Sequence, residues 1–142
     1  MSDQAPSGRT LKVLLYSDDR STRDQVRLAL GRRVAADLPE VGIFDTATGP
    51  AVVKAVDSGL YDVLVLDAEA TPYGGMGLSR QLKEEVDDCP PVLLLVARVA
   101  DAWLATWSNA DAIEAFPIDP MRLPATLADL ARKRLGTAQV GR

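Results

Sequence analysis

Two apolar runs in this chain end on acids. "LKVLLYS" leads into Asp18 and Asp19, and "YDVLVLD" ends on Asp67, with Glu69 two residues beyond. The sequence contains no histidine, which excludes Ser-His-Asp and Cys-His dyads, His-ligated zinc and a phosphohistidine relay on this chain. Carboxylates are therefore the main chemical resource. Acids brought together at the ends of two neighbouring strands raise each other's pKa unless a cation intervenes, and a hard divalent ion such as Mg²⁺ prefers oxygen ligands. Such a hollow could bind Mg²⁺ and accept a phosphoryl group on Asp67. The competing role is structural, because aspartate commonly ends a strand by capping the turn or helix that follows.

Positioning these acids requires a regular alternation of elements, and the hydrophobic pattern supplies one. Apolar runs at "LKVLLYS", "VGIFDTAT", "YDVLVLD", "PPVLLLVA" and "AIEAF" read as strands. Between and after them, "SDDRSTRDQVRLALGRR", "PAVVKAVDSG", "GLSRQLKEEV", "ADAWLATWSNA" and "DPMRLPATLADLARKRL" read as helices. Strands alternating with helices imply parallel βαβ units with right-handed crossovers, hence a three-layer α/β sandwich. In a flavodoxin-like (βα)5 fold with sheet order 2-1-3-4-5, strands one and three are neighbours, and ligands bind beyond the carboxyl ends of the strands. The predicted organisation is a flexible N-terminal tail over residues 1–10, one domain over 11–135 and a C-terminal tail over 136–142.

Composition agrees with one folded domain. The chain has 142 residues, 47% of them apolar and 25% charged, and a formal charge of -4 that provides no field for gathering nucleic acid. The single cysteine, Cys89, has no internal disulfide partner, and no secretion signal or membrane-length apolar run stands in the sequence. The cytoplasm is the expected compartment, with neither membrane nor nucleic acid as a partner.

Over residues 11–135 the chain resembles the receiver domains of response regulators. "YSDDRSTRDQV" matches the family's acid-bearing first strand and its early arginine when Asp18 takes the second acid and Arg23 the arginine, which leaves Ser17 at the first acid. Shifting the register by one residue would instead let Asp18 and Asp19 supply both acids. "YDVLVLD" resembles the strand that presents the phosphoaccepting aspartate, with Gly75 at the place of a family glycine, and "AFPIDPMRLPATLADL" resembles the fifth strand, its proline turn and the last helix. The resemblance implies Asp67 as phosphoacceptor and a weak Mg²⁺ site from Asp18, Asp19, Asp67 and the backbone carbonyl of Glu69. It implies a sensor histidine kinase as donor and, because no effector follows, a stand-alone regulator whose output is contact with another protein. An enzymatic role is not expected.

The family pattern is altered at several positions, including the Met-Pro pair after the phosphoacceptor, which reads Ala70 and Thr71 with Pro72 displaced by one. Ser17 replaces an acid, Val96 the hydroxyl residue that ends strand four, Phe116 the lysine before the proline, and Ile113 the switch aromatic. These losses favour an alternative, a phosphorylation-independent binding module built on the same scaffold. Trp103 and Trp107 stand four apart on helix four and share one face, either as core against the sheet or as part of a partner surface from helix four to helix five, where a homodimer could also form. "TPYGGMG" lacks the lysine of a phosphate-binding loop and reads as a flexible cover over Asp67. "GRRVAADLPEVG" either extends helix one or forms a surface loop.

Overall fold

The computed structural model describes residues 9–98 and 103–140. The expected tail up to residue 8, the expected opening of helix four at Ala100 to Ala102, and residues 141–142 lie outside the described residues. Among the described residues five strands and five helices alternate: β1 Thr10–Tyr16, α1 Arg20–Leu30, β2 Glu40–Thr46, α2 Gly49–Asp57, β3 Val63–Asp67, α3 Gly75–Glu85, β4 Val92–Val96, α4 Leu104–Ser108, β5 Ala112–Ala115 and α5 Arg122–Val140. The strands form one parallel sheet in the order β2-β1-β3-β4-β5, as the flavodoxin-like reading requires.

The central strands β3 and β4 are buried at every position, because helices cover both faces of a parallel sheet. Along β1, alternate side chains feed two cores. Leu11, Val13 and Leu15 pack with Val26 and Leu30 of α1 and Leu123 and Leu127 of α5. Leu14 and Tyr16 pack on the other face with Val52 and Val56 of α2 and Leu78 and Leu82 of α3. Helix α1 meets its core through Thr22, Val26 and Leu30, a spacing of four that keeps them on one stripe.

Local chemistry sets the helix boundaries. Asp19 caps α1, which ends at Gly31, a residue with a positive φ of 61°. Thr48 caps α2 and accepts from the N–H of Ala51. The long segment after α1 is a surface loop, not a helical extension. It buries Leu38, whose carbonyl accepts from the Arg33 guanidinium, and Asp37 pairs with Arg132 of α5 at 2.9 Å. Helix α5 runs on to Val140, through residues 136–140 that the sequence reading assigns to a loose tail.

Candidate functional site

The sheet register builds the site. Tyr16 pairs with Leu66, so the next residues, Ser17 and Asp67, stand side by side at the carboxyl ends of β1 and β3. Ser17 Oγ donates to Asp67 Oδ2 at 2.8 Å, and the Glu69 N–H donates to Asp67 Oδ1 at 2.8 Å. Ser17 is fully buried and Asp67 is 3% exposed. Burial raises the Asp67 pKa; the bonds from Ser17 and from the Glu69 N–H oppose that rise, and the charges of Glu69 and Asp18 reinforce it. Gly75 explains how α3 can begin so close by. A Cβ at that position would stand 2.8 Å from the carbonyl carbon and oxygen of Asp67, so only glycine lets the helix start against the strand end.

The other acids have distinct tasks. Asp18 is exposed and its Oδ2 accepts from Thr71 Oγ1 at 3.0 Å. Asp19 turns onto α1, where Oδ1 accepts from the Ser21 N–H at 2.9 Å and Oδ2 from Thr22 Oγ1 at 3.3 Å. Between the two registers open to the sequence, the geometry therefore leaves Asp18 as the acid facing the β3 loop and employs Asp19 as a helix cap. The Glu69 carboxylate reaches across to the end of β4 and accepts from the Ala97 N–H at 3.3 Å. Arg23 donates to the Ser17 carbonyl at 2.6 Å and lies 3.9 Å from Asp45, so the early arginine of α1 braces the end of β1.

Two contributors escaped the sequence reading. Tyr16, fully buried at the last position of β1, donates its hydroxyl to the Tyr73 carbonyl, and Thr71 holds Asp18. A tyrosine amid aliphatic neighbours in a buried strand was the available signal, since a buried phenol needs an acceptor. Burial, then the charges of Asp18 and Asp67, raise the Tyr16 pKa.

The β4 and β5 ends are apolar. Val96 is 1% exposed and joins the core shared with α2 and α3, and Ile113 packs against that core. Phe116 packs instead against the core of α1 and α5. Trp103 and Trp107 are 70% and 49% exposed, which overturns their reading as ordinary core. The Arg80 guanidinium lies 4.9 Å from the Trp107 ring centre. Among the described residues no three His, Cys, Asp or Glu side chains converge to hold a metal. The nearest oxygen donors are the carboxylates of Asp18 and Asp67, a chemistry that suits a hard cation such as Mg²⁺.

Known proteins resemble this chain in sequence and in fold. Two Mycobacterium tuberculosis proteins, from strains CDC 1551 and H37Rv, each named an uncharacterized response regulatory protein, are 47% identical over 126 residues, which is 89% of this chain and 95% of theirs. The chain belongs to the response-regulator family. The response regulator protein PmrA of Pseudomonas aeruginosa is 32% identical over 130 residues, and the match spans 56% of that longer protein. No protein-family model matches the chain. Among solved structures, the signal receiver domain of a Vibrio parahaemolyticus protein described as a Luxo repressor superposes with a TM-score of 0.76 at 19% identity, covering 93% of this chain and 98% of that one. A CheY-like receiver domain from Methanospirillum hungatei gives 0.71 at 14% identity, covering 91% and 99%. The protein is thus a receiver-type response regulator of two-component signalling, and among the described residues no helix is long and apolar enough to cross a membrane.

Proposed function

We propose that the protein is an atypical response regulator in which Asp67 accepts a phosphoryl group and the result is passed on by protein-protein contact. The observation that carries this reading is the Ser17–Asp67 pair at the ends of adjacent strands, 2.8 Å apart, with Asp18 and Glu69 acting on the same carboxylate. In the transfer, an Asp67 carboxylate oxygen forms a bond to phosphorus as the donor's P–N bond breaks, giving an acyl phosphate; a sensor histidine kinase is the class of protein that carries such a donor. Asp18, Asp67 and the Glu69 carbonyl are the residues that would hold Mg²⁺, whose contribution when bound is to offset negative charge near the carboxylate. Asp19 is committed to α1 and stands outside that set.

Ser17 orients Asp67 and keeps one oxygen hydrogen-bonded inside a closed site. The missing donors set the speed. Each preorganised donor removed from a site where charge develops costs roughly 10²–10³ in rate. With Val96 and Phe116 in place of a hydroxyl and an ammonium, phosphoryl acceptance is slow. The test is incubation with Mg²⁺ and a small phosphoryl donor, followed by intact mass. Gain of one phosphoryl group that disappears in Asp67→Asn supports the reading.

A second reading is favoured by the β4 and β5 side chains specifically. Val96 and Phe116 are absorbed into the two cores, as befits a scaffold whose pocket has lost its chemistry. The protein would then act as a phosphorylation-independent binding module. No mass gain at millimolar donor, with the fold intact, selects this alternative.

A further inference from the structure

The β3–α3 loop is tied to the strand ends first through Glu69, whose N–H donates to Asp67 and whose carboxylate accepts from the Ala97 N–H, and then at two points beyond it. Thr71 Oγ1 donates to Asp18 Oδ2 at 3.0 Å, and the Tyr16 hydroxyl donates to the carbonyl of Tyr73. The Tyr73 ring in turn lies over the start of α2, where a Cβ added at Gly49 would stand 2.8 Å from it. Tyr73, Gly49 and Val53 line a cleft of about 450 Å³ between α2 and α3. A continuous path of contacts thus leads from Asp18 to the α2–α3 face.

On the opposite side, among the described residues, Glu69 Oε2 accepts from the Ala97 N–H at 3.3 Å, and the strand-end side chains beyond that bond are apolar. Val96 has no hydroxyl to follow a phosphoryl oxygen, and Ile113 is a partly buried aliphatic side chain packed against the core. The described end of α4 is fastened to α3, with Ser79 Oγ donating to the Ser108 carbonyl at 2.8 Å and Arg80 to the Trp107 carbonyl at 3.2 Å.

We propose that the state of the acidic site is read out at the α2–α3 cleft, through the Thr71–Tyr73 strap, and not at the β4–β5 end of the sheet. With Asp18 and Asp67 acting as the metal-binding and phosphoaccepting acids, on which this proposal rests, engagement of Asp18 withdraws its Oδ2 from Thr71. The Thr71–Tyr73 stretch then keeps only its Tyr16 bond to β1 and re-seats, carrying the Tyr73 ring relative to Gly49 and changing the cleft. A ligand's differential contacts with the two loop positions are what shift the equilibrium.

Backbone NMR of the full chain tests this, with Mg²⁺ and beryllofluoride as the probe. Amide shifts are expected at Asp18, Asp67 and Glu69 and, with them, at Tyr73, Gly49 and Val53. Tyr16→Phe should keep the first group and lose most of the shift at Gly49 and Val53. Thr71→Val, an exposed substitution that does not threaten the fold, should move Tyr73 and Gly49 toward their beryllofluoride positions before any probe is added. If the site amides respond while Gly49 and Val53 stay still, or if the response runs to Ala112–Ala115 instead, the readout path is wrong and the phosphoacceptor reading stands. Absence of any response at Asp18, Asp67 and Glu69 sinks that reading, and the readout path with it.

Discussion

The carboxyl end of the sheet has two unlike halves. At β1 and β3, Ser17, Asp18, Asp67 and Glu69 form a polar cluster in which each side chain has a hydrogen-bond partner. At β4 and β5, Val96, Ile113 and Phe116 are drawn into the cores on either face. The contrast teaches that the scaffold does not depend on its catalytic donors. A buried valine at the end of β4 gains apolar burial, whereas a hydroxyl or ammonium there would need a phosphoryl oxygen or a carboxylate to satisfy it. Where Asp67 survives, it is kept by Ser17 and by a backbone N–H, neutral donors that require no second charge.

Restoring the lost half gives the largest expected effect. Val96→Thr with Phe116→Lys should raise the initial rate of phosphoryl acceptance by at least about 10²-fold, since one recovered donor alone is worth roughly 10²–10³. The same double variant should be less stable than the parent, because Phe116 gives up its packing against the α1 and α5 core. Intact mass over time and urea denaturation measure the two effects. An unchanged rate in a folded variant would mean that the polar half is inert by itself, and that the apolar half is not what limits it.

The next effect is steric and confined to the polar half. Gly75→Ala forces a methyl against the Asp67 carbonyl, where the obstacle is backbone and cannot swing away. A loss of about 1–3 kcal/mol is expected, with slower modification of Asp67. Gly77 lies in the same helix with nothing within 4 Å of an added Cβ, so Gly77→Ala should stabilise by about 0.5–1 kcal/mol through helix propensity. Equal responses from the two glycines would remove the reason for Gly75 at the site.

The two halves also differ in how far the sequence disclosed them. The alternation of strands and helices was legible because apolar runs and their spacing carry it directly, while the strand order, the neighbouring β1 and β3 ends and the losses at Val96 and Phe116 followed from the resemblance to receiver domains. The division of labour between Asp18 and Asp19 was not. Two adjacent acids have the same composition in either register, and only the helix start, with Asp19 accepting from Ser21 and Thr22, separates them. For Trp103 and Trp107 the sequence left core and partner surface both open, since spacing places residues on a common face without saying which way that face points, and their exposure decides against core. The Tyr16–Tyr73 and Asp18–Thr71 bonds join residues 57 and 53 positions apart, beyond the reach of any local pattern.

Acid titration separates the halves more finely. Burial raises the Asp67 pKa over its value in the unfolded chain, despite the opposing bonds from Ser17 and Glu69 N–H. The folded state therefore holds the proton more tightly. This contribution favours folding most below the unfolded carboxylate pKa, declines as pH rises toward the folded value, and stays at its less favourable level above it. Asp67→Asn should flatten that decline and, at neutral pH in metal-free buffer, gain on the order of 1 kcal/mol, the scale of burying one charged group with partial compensation. Denaturant unfolding of both proteins across the acid range reads the difference. A variant that is less stable at neutral pH would show that Asp67 stabilises its surroundings as an anion.

The smallest effect belongs to the surface beside the apolar half. Arg80 lies over Trp107 at 4.9 Å, donates to its carbonyl at 3.2 Å and pairs with Glu84 at 3.2 Å. Such exposed contacts are worth about 0.5–1 kcal/mol together, so Arg80→Ala should lower stability by that amount and increase iodide quenching of tryptophan emission as the ring loses its cover. Beryllofluoride shifts at Asp67 and Gly49 should be unchanged in this variant. A response at Asp67 that weakens when Arg80 is removed would tie α4 to the acids after all, and the separation of the sheet end into a polar, responsive half and an apolar, passive one would not hold.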